Sequence, residues 1–267
     1  MFRFRTRPAP ARSYTVIMTA CFHPDTQFKS SLVRVAADER RLDYAAALRF
    51  WLAHPDARIT SIIFIENTAS DLSFLEKISQ QENPRGRRCE FISIDCNRTP
   101  QGLHYGYAEF QLIDEGLKHS ELYAQSAAFI KATGRYTFPD ISRLLNRLPG
   151  DFAVAVDMRH NSFLSPKPYY FVPAALLLFS RAAFEAHIRG AYRDMHLPPP
   201  WRGQFVEDVL HDRLFPLKGQ QGAILRWPVN CDAAGVGANG DRYRSPKKRL
   251  VALARGIGRI ILPGWWF

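Results

Sequence analysis

The sequence has few cysteines, no long apolar run and a shortage of acidic residues. Only 4 of its 267 residues are cysteine, and no two of them are spaced as Cys-x-x-Cys. This spacing disfavours a disulfide framework or a thiolate metal site and favours a reducing compartment. No stretch reaches the roughly 18 apolar residues that a transmembrane helix requires. The basic N-terminal segment also lacks the apolar core of a secretory signal. We therefore expect a cytoplasmic protein.

The shortage of acidic residues leaves a large positive charge. The chain has 36 Lys and Arg against 25 Asp and Glu, a formal net charge of +11. Such an excess favours an acidic partner: a nucleic acid, a phosphorylated substrate or an anionic membrane. Four arginines lie within residues 1–12 and seven Lys or Arg within residues 242–259. Because the charge gathers at the two ends and no nucleic-acid-binding motif is present, we expect no nucleic-acid partner, although a basic nucleic-acid-binding protein remains an alternative.

Apolar runs alternate with segments of helical periodicity along the chain. The predicted strands are 13–21, 59–65, 89–94, 127–132, 152–156 and 224–229. The predicted helices are 41–52, 72–81, 107–119, 181–192 and 205–214. This alternation predicts an α/β, Rossmann-like domain whose mainly parallel sheet is flanked by helices. Since no linker composition is visible, we predict one domain over 13–245, with halves at about 13–160 and 161–245, between a basic leader (1–12) and a basic amphipathic tail (246–267).

Ligands of open parallel sheets bind at the carboxyl ends of the strands. The polar residues that follow the predicted strands are therefore the functional candidates. They are His23, Glu66, Asn67, Asp95, Asn97, Lys131, Thr133, Arg135, Asp157 and Arg159.

Two short motifs are the most informative. In 129–136 (FIKATGRY), a strand end brings together Lys131 and Arg135, and Gly134 allows a tight turn. Two cations and a hydroxyl suit a diphosphate, although an ordinary basic turn is the alternative. In 105–109 (YGYAE), a glycine at a helix start lets backbone N–H groups approach an anion or a sugar. Glu109 in that first turn either takes part in binding or complements the helix dipole.

Taken together, the two motifs resemble a group of bacterial GT-A-type glycosyltransferases that assemble lipopolysaccharide or capsule. The opening strand (TVIMTACF), the second strand ending in IEN, and the pair Glu207-Asp208 also match, over about 13–245. The resemblance implies a nucleotide-sugar donor bound by the first half and a glycan or glycolipid acceptor bound by the second. The donor-binding residues that it implies are Thr19, Glu66, Asn67, Tyr107, Glu109, Lys131, Thr133, Arg135, Asp157 and Arg159.

The same resemblance assigns the chemistry to Glu207-Asp208. It implies Asp208 as the base that accepts the proton of the acceptor hydroxyl in an inverting transfer, with Glu207 in support. A solvated acidic helix face is the alternative. Many enzymes of this type hold Mg²⁺ or Mn²⁺ with Asp-x-Asp, which this chain lacks. We predict no metal ligand and leave metal dependence open, because cations are able to stabilise the leaving diphosphate instead. A different nucleotide-using α/β transferase, which would be expected to need such acidic ligands, is the remaining alternative.

The basic tail has its own pattern. Apolar side chains recur at helical spacing among its basic residues, and Trp265-Trp266-Phe267 follows them. These features are typical of a helix that lies in the plane of an anionic membrane surface, so we expect a peripheral protein at the inner face of the membrane. A tail packed on the domain or used in a dimer is the alternative.

Overall fold

The computed structural model describes residues 12–28, 32–160, 170–197, 203–237, 240, 243 and 245–261. The strands are β1 (Tyr14–Ala20), β2 (Ile59–Glu66), β3 (Arg88–Ser93), β4 (Ala128–Thr133), β5 (Val154–Ala155), β6 (Arg159–His160), β7 (Tyr170–Phe171), β8 (Leu176–Ser180) and β9 (Ala223–Ile224). The α-helices are α1 (Ala37–Ala53), α2 (Ser73–Gln81), α3 (Gly106–Gly116), α4 (Glu121–Gln125), α5 (Ile141–Leu145), α6 (Arg181–Ala183), α7 (Val206–Leu214) and α8 (Pro246–Ile261).

The protein has the predicted α/β fold with a mainly parallel sheet. Seven strands are hydrogen-bonded in the order β3-β2-β1-β4-β8-β5-β9. Strands β3, β2, β1 and β4 are parallel, and β8 runs antiparallel to both β4 and β5. Thr19 of β1 pairs with Ile65 of β2 on one side and with Thr133 of β4 on the other. The carboxyl ends of β2, β1 and β4 therefore meet at one edge.

Helices cover both faces of the sheet. All seven residues of β1 are buried, as expected for a parallel strand that is covered on both sides. Successive side chains point to opposite faces, so Val16 and Met18 join one apolar cluster with Trp51 of α1. Ile17 joins the other cluster with Leu210 of α7. The core is thus divided into two layers by the sheet.

The chain beyond residue 150 departs from the predictions in three places. The predicted helix 181–192 is broken into α6, a π-helical turn over Phe184–Ile188 and a 3-10 turn over Ala191–Asp194. The break falls at Gly190, whose φ of 74° is left-handed. The predicted strand 224–229 shrinks to β9, because the chain leaves the sheet where Trp227 donates its N–H to the Asp157 carboxylate. The predicted strand 152–156 retains only the two residues of β5.

The periodic part of the tail is a helix, α8, that packs on the body of the protein with an unusual face. Arg255, Gly256 and Arg259 are turned towards the body, and Arg259 is only 8% exposed. Ile257 and Ile260 point outward, with Ile260 82% exposed. Within the described residues, no helix is both long and apolar enough to span a bilayer.

Candidate functional site

A cleft opens at the carboxyl ends of β1, β2 and β4. Because β2 and β4 lie on opposite sides of β1, this edge is the point where the strand order reverses, the usual ligand site of such sheets. Gly134 donates its N–H to the Thr19 carbonyl at 2.9 Å. A Cβ at position 134 would lie 2.5 Å from that oxygen, so only glycine allows this approach. The cleft encloses about 630 Å³ that is open to solvent. Its lining includes Thr19, Asn67, Tyr105, Glu109, Thr133 and Arg135.

Glu109 is the centre of a hydrogen-bond network at the floor of the cleft. Its Oε1 accepts from Thr19 Oγ1 at 2.7 Å, from Lys131 Nζ at 2.7 Å and from Thr133 Oγ1 at 3.0 Å. Burial, the largest effect, would raise the pKa of Glu109, but the Lys131 ammonium and the hydrogen bonds from Lys131, Thr19 and Thr133 together lower it. Glu109 is therefore ionised and does more than complement the dipole of α3.

Lys131 does not reach the cleft surface. It is fully buried, and its Nζ donates to Glu109 Oε1, to Thr133 Oγ1 at 3.2 Å and to the Ala174 carbonyl. These three bonds use all three donors of an ammonium group. The direct contact with a diphosphate expected of Lys131 is thus absent from this arrangement, in which Lys131 holds the Glu109 carboxylate in place.

Arg135 has one N–H group that makes no hydrogen bond to a described residue. Its side chain lines the cleft and is 8% exposed, yet Nη1 has no hydrogen-bond partner among the described residues. Burial disfavours its charge, but surrounding groups, led by Tyr44 and Tyr136, raise the pKa of Arg135. A buried, charged and unsatisfied guanidinium N–H is costly unless an anion completes it. Arg135 is therefore the cation of this cleft that is best placed to bind phosphate.

Asn67 and Glu66, adjacent in sequence, have different roles. Glu66 is fully buried, and its carboxylate accepts the N–H groups of Phe22 at 3.0 Å and Thr68 at 2.8 Å. It fastens the loops around β2 rather than facing a ligand, in contrast to the donor contact expected of it. Asn67 does line the cleft. Its Nδ2 donates to Asn97 Oδ1 at 3.1 Å, and its Oδ1 is buried without a hydrogen-bond partner in the described structure. Asn67 thus offers the cleft an acceptor.

Glu207 stands beside the cleft at the start of α7. Helices α3 and α7 are in close contact here. A Cβ added at Gly106 of α3 would lie only 2.7 Å from Val206 Cγ1 of α7. Burial raises the pKa of Glu207 to about 7, and its buried Oε2 has no partner among the described residues. Burial also raises the pKa of Tyr105, which lines the cleft, to about 12, and the nearby charge of Glu207 contributes. Asp208 is 3% exposed.

The other predicted site residues lie elsewhere. Tyr107 packs edge-to-face on Tyr192, with ring centroids 5.1 Å apart, on the side of α3 away from the cleft lining. Arg159 Nε donates to Asp157 Oδ2 at 2.7 Å, and Asp157 also accepts from Arg259 of α8. The structure therefore brings Thr19, Asn67, Glu109, Thr133 and Arg135 together but places these three residues in other contacts.

Several residues that line the cleft were not among the predicted site residues, and Arg40 and Tyr105 are two of them. Arg40 lines the cleft from α1, where its guanidinium donates to the Arg34 carbonyl at 3.0 Å and to Tyr44 Oη at 3.2 Å. It sits inside a helical pattern, so its sequence position gives no signal. Tyr105 was indicated only indirectly, as the first residue of the motif that opens α3.

The Glu109 carboxylate at the floor of the cleft does not fit a divalent metal ion. Among the described residues, no group of three or more His, Cys, Asp and Glu side chains is arranged to hold a metal. Glu109 already accepts three hydrogen bonds, one of them from an ammonium group. Because the Lys131 ammonium already lies against Glu109 Oε1, it would repel a metal cation at the same oxygen. We derive no step through a metal.

Comparison with known proteins gives similarity to solved structures only. No family model and no curated protein matches the sequence. A 4-diphosphocytidyl-2C-methyl-D-erythritol synthase from Anaerococcus prevotii DSM 20548 aligns over 92% of this chain and 98% of its own, at 11% identity and a TM-score of 0.44. A nucleotide-diphospho-sugar transferase from Desulfovibrio desulfuricans G20 aligns over 93% and 98%, at 14% identity and a TM-score of 0.39. The bifunctional glycosyltransferase WbbM aligns over 93% of this chain but 45% of its own, at 12% identity and a TM-score of 0.45. We assign neither a family nor an activity from these similarities.

Proposed function

We propose that the protein is a glycosyltransferase that moves a sugar from a nucleotide-sugar donor to a hydroxyl of a cell-surface glycan or lipid-linked acceptor. One observation carries the proposal: at the strand-order reversal, Arg135 Nη1 in the cleft and Glu207 Oε2 beside it are both buried and have no hydrogen-bond partner among the described residues. A cation for a leaving diphosphate and a carboxylate for a proton are the two groups that this transfer needs.

Donor binding follows from the unsatisfied atoms of the cleft. Arg135 Nη1 donates to a phosphate oxygen of the nucleotide. Asn67 Oδ1 accepts an N–H of the base or a hydroxyl of the ribose. Thr19 and Thr133 are held by Glu109, which fixes the carboxyl edges of β1 and β4 around the ligand. Preorganised donors of this kind stabilise the charge of the leaving group without having to move.

Glu207 fits the role of base better than Asp208, to which the sequence resemblance assigned it. The acceptor oxygen attacks the anomeric carbon of the donor sugar as the bond from that carbon to the diphosphate oxygen breaks. The hydroxyl proton passes to Glu207 Oε2, and the departing charge is stabilised by Arg135. A pKa of about 7 suits a group that must accept this proton near neutral pH. Asp208, which is almost fully buried in α7, then supports the position of Glu207. Attack opposite the leaving group inverts the anomeric centre.

The proposed acceptor places the protein at the inner face of the membrane. The outward face of α8 carries Leu250, Leu253, Ile257, Ile260 and Ile261, each at least 49% exposed. A contiguous exposed apolar stripe calls for an apolar partner. Exposed Lys247 and Arg249 lie at the first turn of the same helix, so its charge complements an anionic bilayer rather than a second basic copy of this chain. A surface that binds lipid would bring the cleft close to lipid-linked glycans of lipopolysaccharide or capsule assembly.

A donor screen tests the transfer. UDP-, GDP- and CMP-sugars are incubated with the full chain, and release of the free nucleotide is measured with and without a lipid-linked acceptor. We expect acceptor-dependent release with one class of donor. Formation of pyrophosphate from a nucleoside triphosphate and a sugar phosphate would show a nucleotidyltransferase instead and would refute the proposal.

A further inference from the structure

A second cleft lies between α8 and the body of the protein, outside the proposed donor site. It encloses about 1980 Å³ that is open to solvent. Six basic side chains and two acidic ones line it, and the basic ones are Arg143, Arg159, Lys247, Lys248, Arg249 and Arg255. Arg255 attaches α8 to the body through Asp232, but Arg143, Lys247 and Arg249 form no ion pair with another described residue and are available to a ligand.

The inner wall of the second cleft carries unbalanced positive charge. Asp232 Oδ1 accepts from both Arg159 Nη2 at 2.9 Å and Arg255 Nη1 at 3.0 Å. Asp157 accepts from Arg159 and, with both oxygens at 2.7 Å, from Arg259. Three guanidinium groups therefore share two carboxylates. Burial lowers the pKa of Arg255, and the neighbouring Arg159 charge lowers it further. An anion that entered this cleft would relieve the repulsion.

The rim of the second cleft adds cations without partners. Arg143, Lys247 and Arg249 are exposed and form no ion pair within the described part of the chain. Arginine binds phosphate oxygens through paired N–H donors, and lysine acts as a point charge. Guanidinium and ammonium groups on two sides of one cleft suit a compact anion with several oxygens, such as a phosphomonoester or a diphosphate.

The position of the second cleft selects a lipid as the bearer of that phosphate. Val251 of α8 lines the cleft and is 49% exposed, and it is adjacent in sequence to Leu250 of the outward apolar stripe, which is 68% exposed. A helix lying in a membrane surface buries such a stripe at the boundary between headgroups and acyl chains. Headgroup phosphates then lie beside the helix, at the mouth of the cleft. A free phosphate has no acyl chains and would make no contact with the apolar stripe.

We infer that the cleft between α8 and the body binds the phosphate headgroup of a membrane lipid. This inference rests on the membrane association proposed above but not on the glycosyl transfer. It gives α8 two roles on two faces: the outward stripe contacts the acyl chains of the membrane, and the inward face lines the site of a headgroup phosphate.

Vesicle flotation with the full chain tests the inference. Vesicles of phosphatidylcholine contain either phosphatidic acid, which presents a phosphomonoester, or phosphatidylglycerol at the same surface charge. We expect about ten-fold tighter binding to phosphatidic acid, the gain of one charge-assisted hydrogen bond. The double variant Arg143→Gln/Lys247→Gln should lose this preference, while Lys77→Gln/Arg85→Gln, which removes two exposed charges elsewhere, should keep it.

The outcomes separate the two proposals. Equal binding of the wild-type protein to both anionic vesicles, or an unchanged preference in Arg143→Gln/Lys247→Gln, would refute the lipid site but not membrane association. Absence of binding to any vesicle would refute both. Inorganic pyrophosphate, added as a competitor, should not displace the protein from phosphatidic acid vesicles at concentrations comparable to the lipid. Displacement at equal concentration would show a site for soluble phosphate instead.

Discussion

Lys131 Nζ lies 2.7 Å from Glu109 Oε1, and the lysine side chain is fully buried between the sheet and α3. The pair joins the strand end of one sequence motif to the helix start of the other. It leaves the phosphate-binding role in the cleft to Arg135, whose Nη1 has no partner among the described residues.

Replacing Lys131 alone should destabilise the fold more than replacing both Lys131 and Glu109. In Lys131→Met, Glu109 keeps its charge without the counter-ion, and loss of one partner of a buried pair costs about 3–5 kcal/mol. Lys131→Met/Glu109→Gln should recover part of that loss. Because the ion pair lowers the pKa of Glu109, its contribution is present above the usual carboxyl pKa and is lost as pH falls through the lowered value. Urea unfolding of the wild-type protein and the two variants measures the effect, and a double variant no more stable than Lys131→Met would contradict it.

Glu207→Gln should abolish transfer but leave donor binding nearly intact. Burial raises the pKa of Glu207 to about 7, so transfer by the wild-type protein should rise as pH increases through about 7. The free energy of unfolding should fall between the unfolded carboxyl pKa, about 4.3, and about 7, because the folded state holds a proton that the unfolded state releases. In Glu207→Gln, which lacks this titrating group, the fall over this pH range should be smaller by up to about 3 kcal/mol. Unfolding free energies that change with pH in the same way in the two proteins would refute the titration of Glu207 in this range.

Arg259→Gln should loosen α8 without disturbing the donor cleft. Arg259 bonds to both Asp157 oxygens, and its Nε donates to Asn230 Oδ1 at 3.0 Å. Since Arg159 still neutralises Asp157, the loss of stability should be about 1–3 kcal/mol, the range of a hydrogen bond to a charged group. Limited proteolysis should cleave within α8 faster than in the wild-type protein or in Arg88→Gln, an exposed control on β3. Equal rates would mean that other contacts hold the helix.

Leu253→Gln/Ile257→Gln should weaken binding to anionic vesicles by about 30- to 1,000-fold, because each of the two apolar side chains withdrawn from water contributes about 1–2 kcal/mol. Both residues are exposed, at 61% and 49%, so the unfolding free energy should hardly change. Leu42→Gln is the matched control, since Leu42 on α1 is 71% exposed but lies outside the stripe. Equal loss in the control, or none in the double variant, would contradict the role of α8.

Sequence pattern predicted the first half of the fold because β1, β2 and β4 are almost wholly buried and read as continuous apolar runs. β1, β2, β3 and β4 all lie within a residue or two of their predicted limits. The two-residue strands β5 and β9 carry too few residues to show a period. The antiparallel direction of β8 depends on tertiary pairing with β4, which no local pattern encodes.

The candidate site was predictable in position but not in detail. Strand ends marked Thr133, Arg135 and Asn67, which the cleft does bring together. Their individual roles were not visible in the sequence, because each role depends on which polar groups hydrogen-bond to one another in the folded protein. Glu66 looks like Asn67 in sequence, yet the N–H groups of Phe22 and Thr68 occupy its carboxylate.

Binding of nucleoside diphosphates tests the central claim most directly. Isothermal titration of UDP, GDP, CDP and ADP into the wild-type protein should give saturable binding of at least one of them. Arg135→Gln should weaken that binding by about 10- to 100-fold, the value of a hydrogen bond to a charged group, while Arg88→Gln should leave it unchanged. Binding that survives in Arg135→Gln, or no binding of any nucleotide to the wild-type protein, would contradict the assignment of this cleft to a nucleotide-sugar donor.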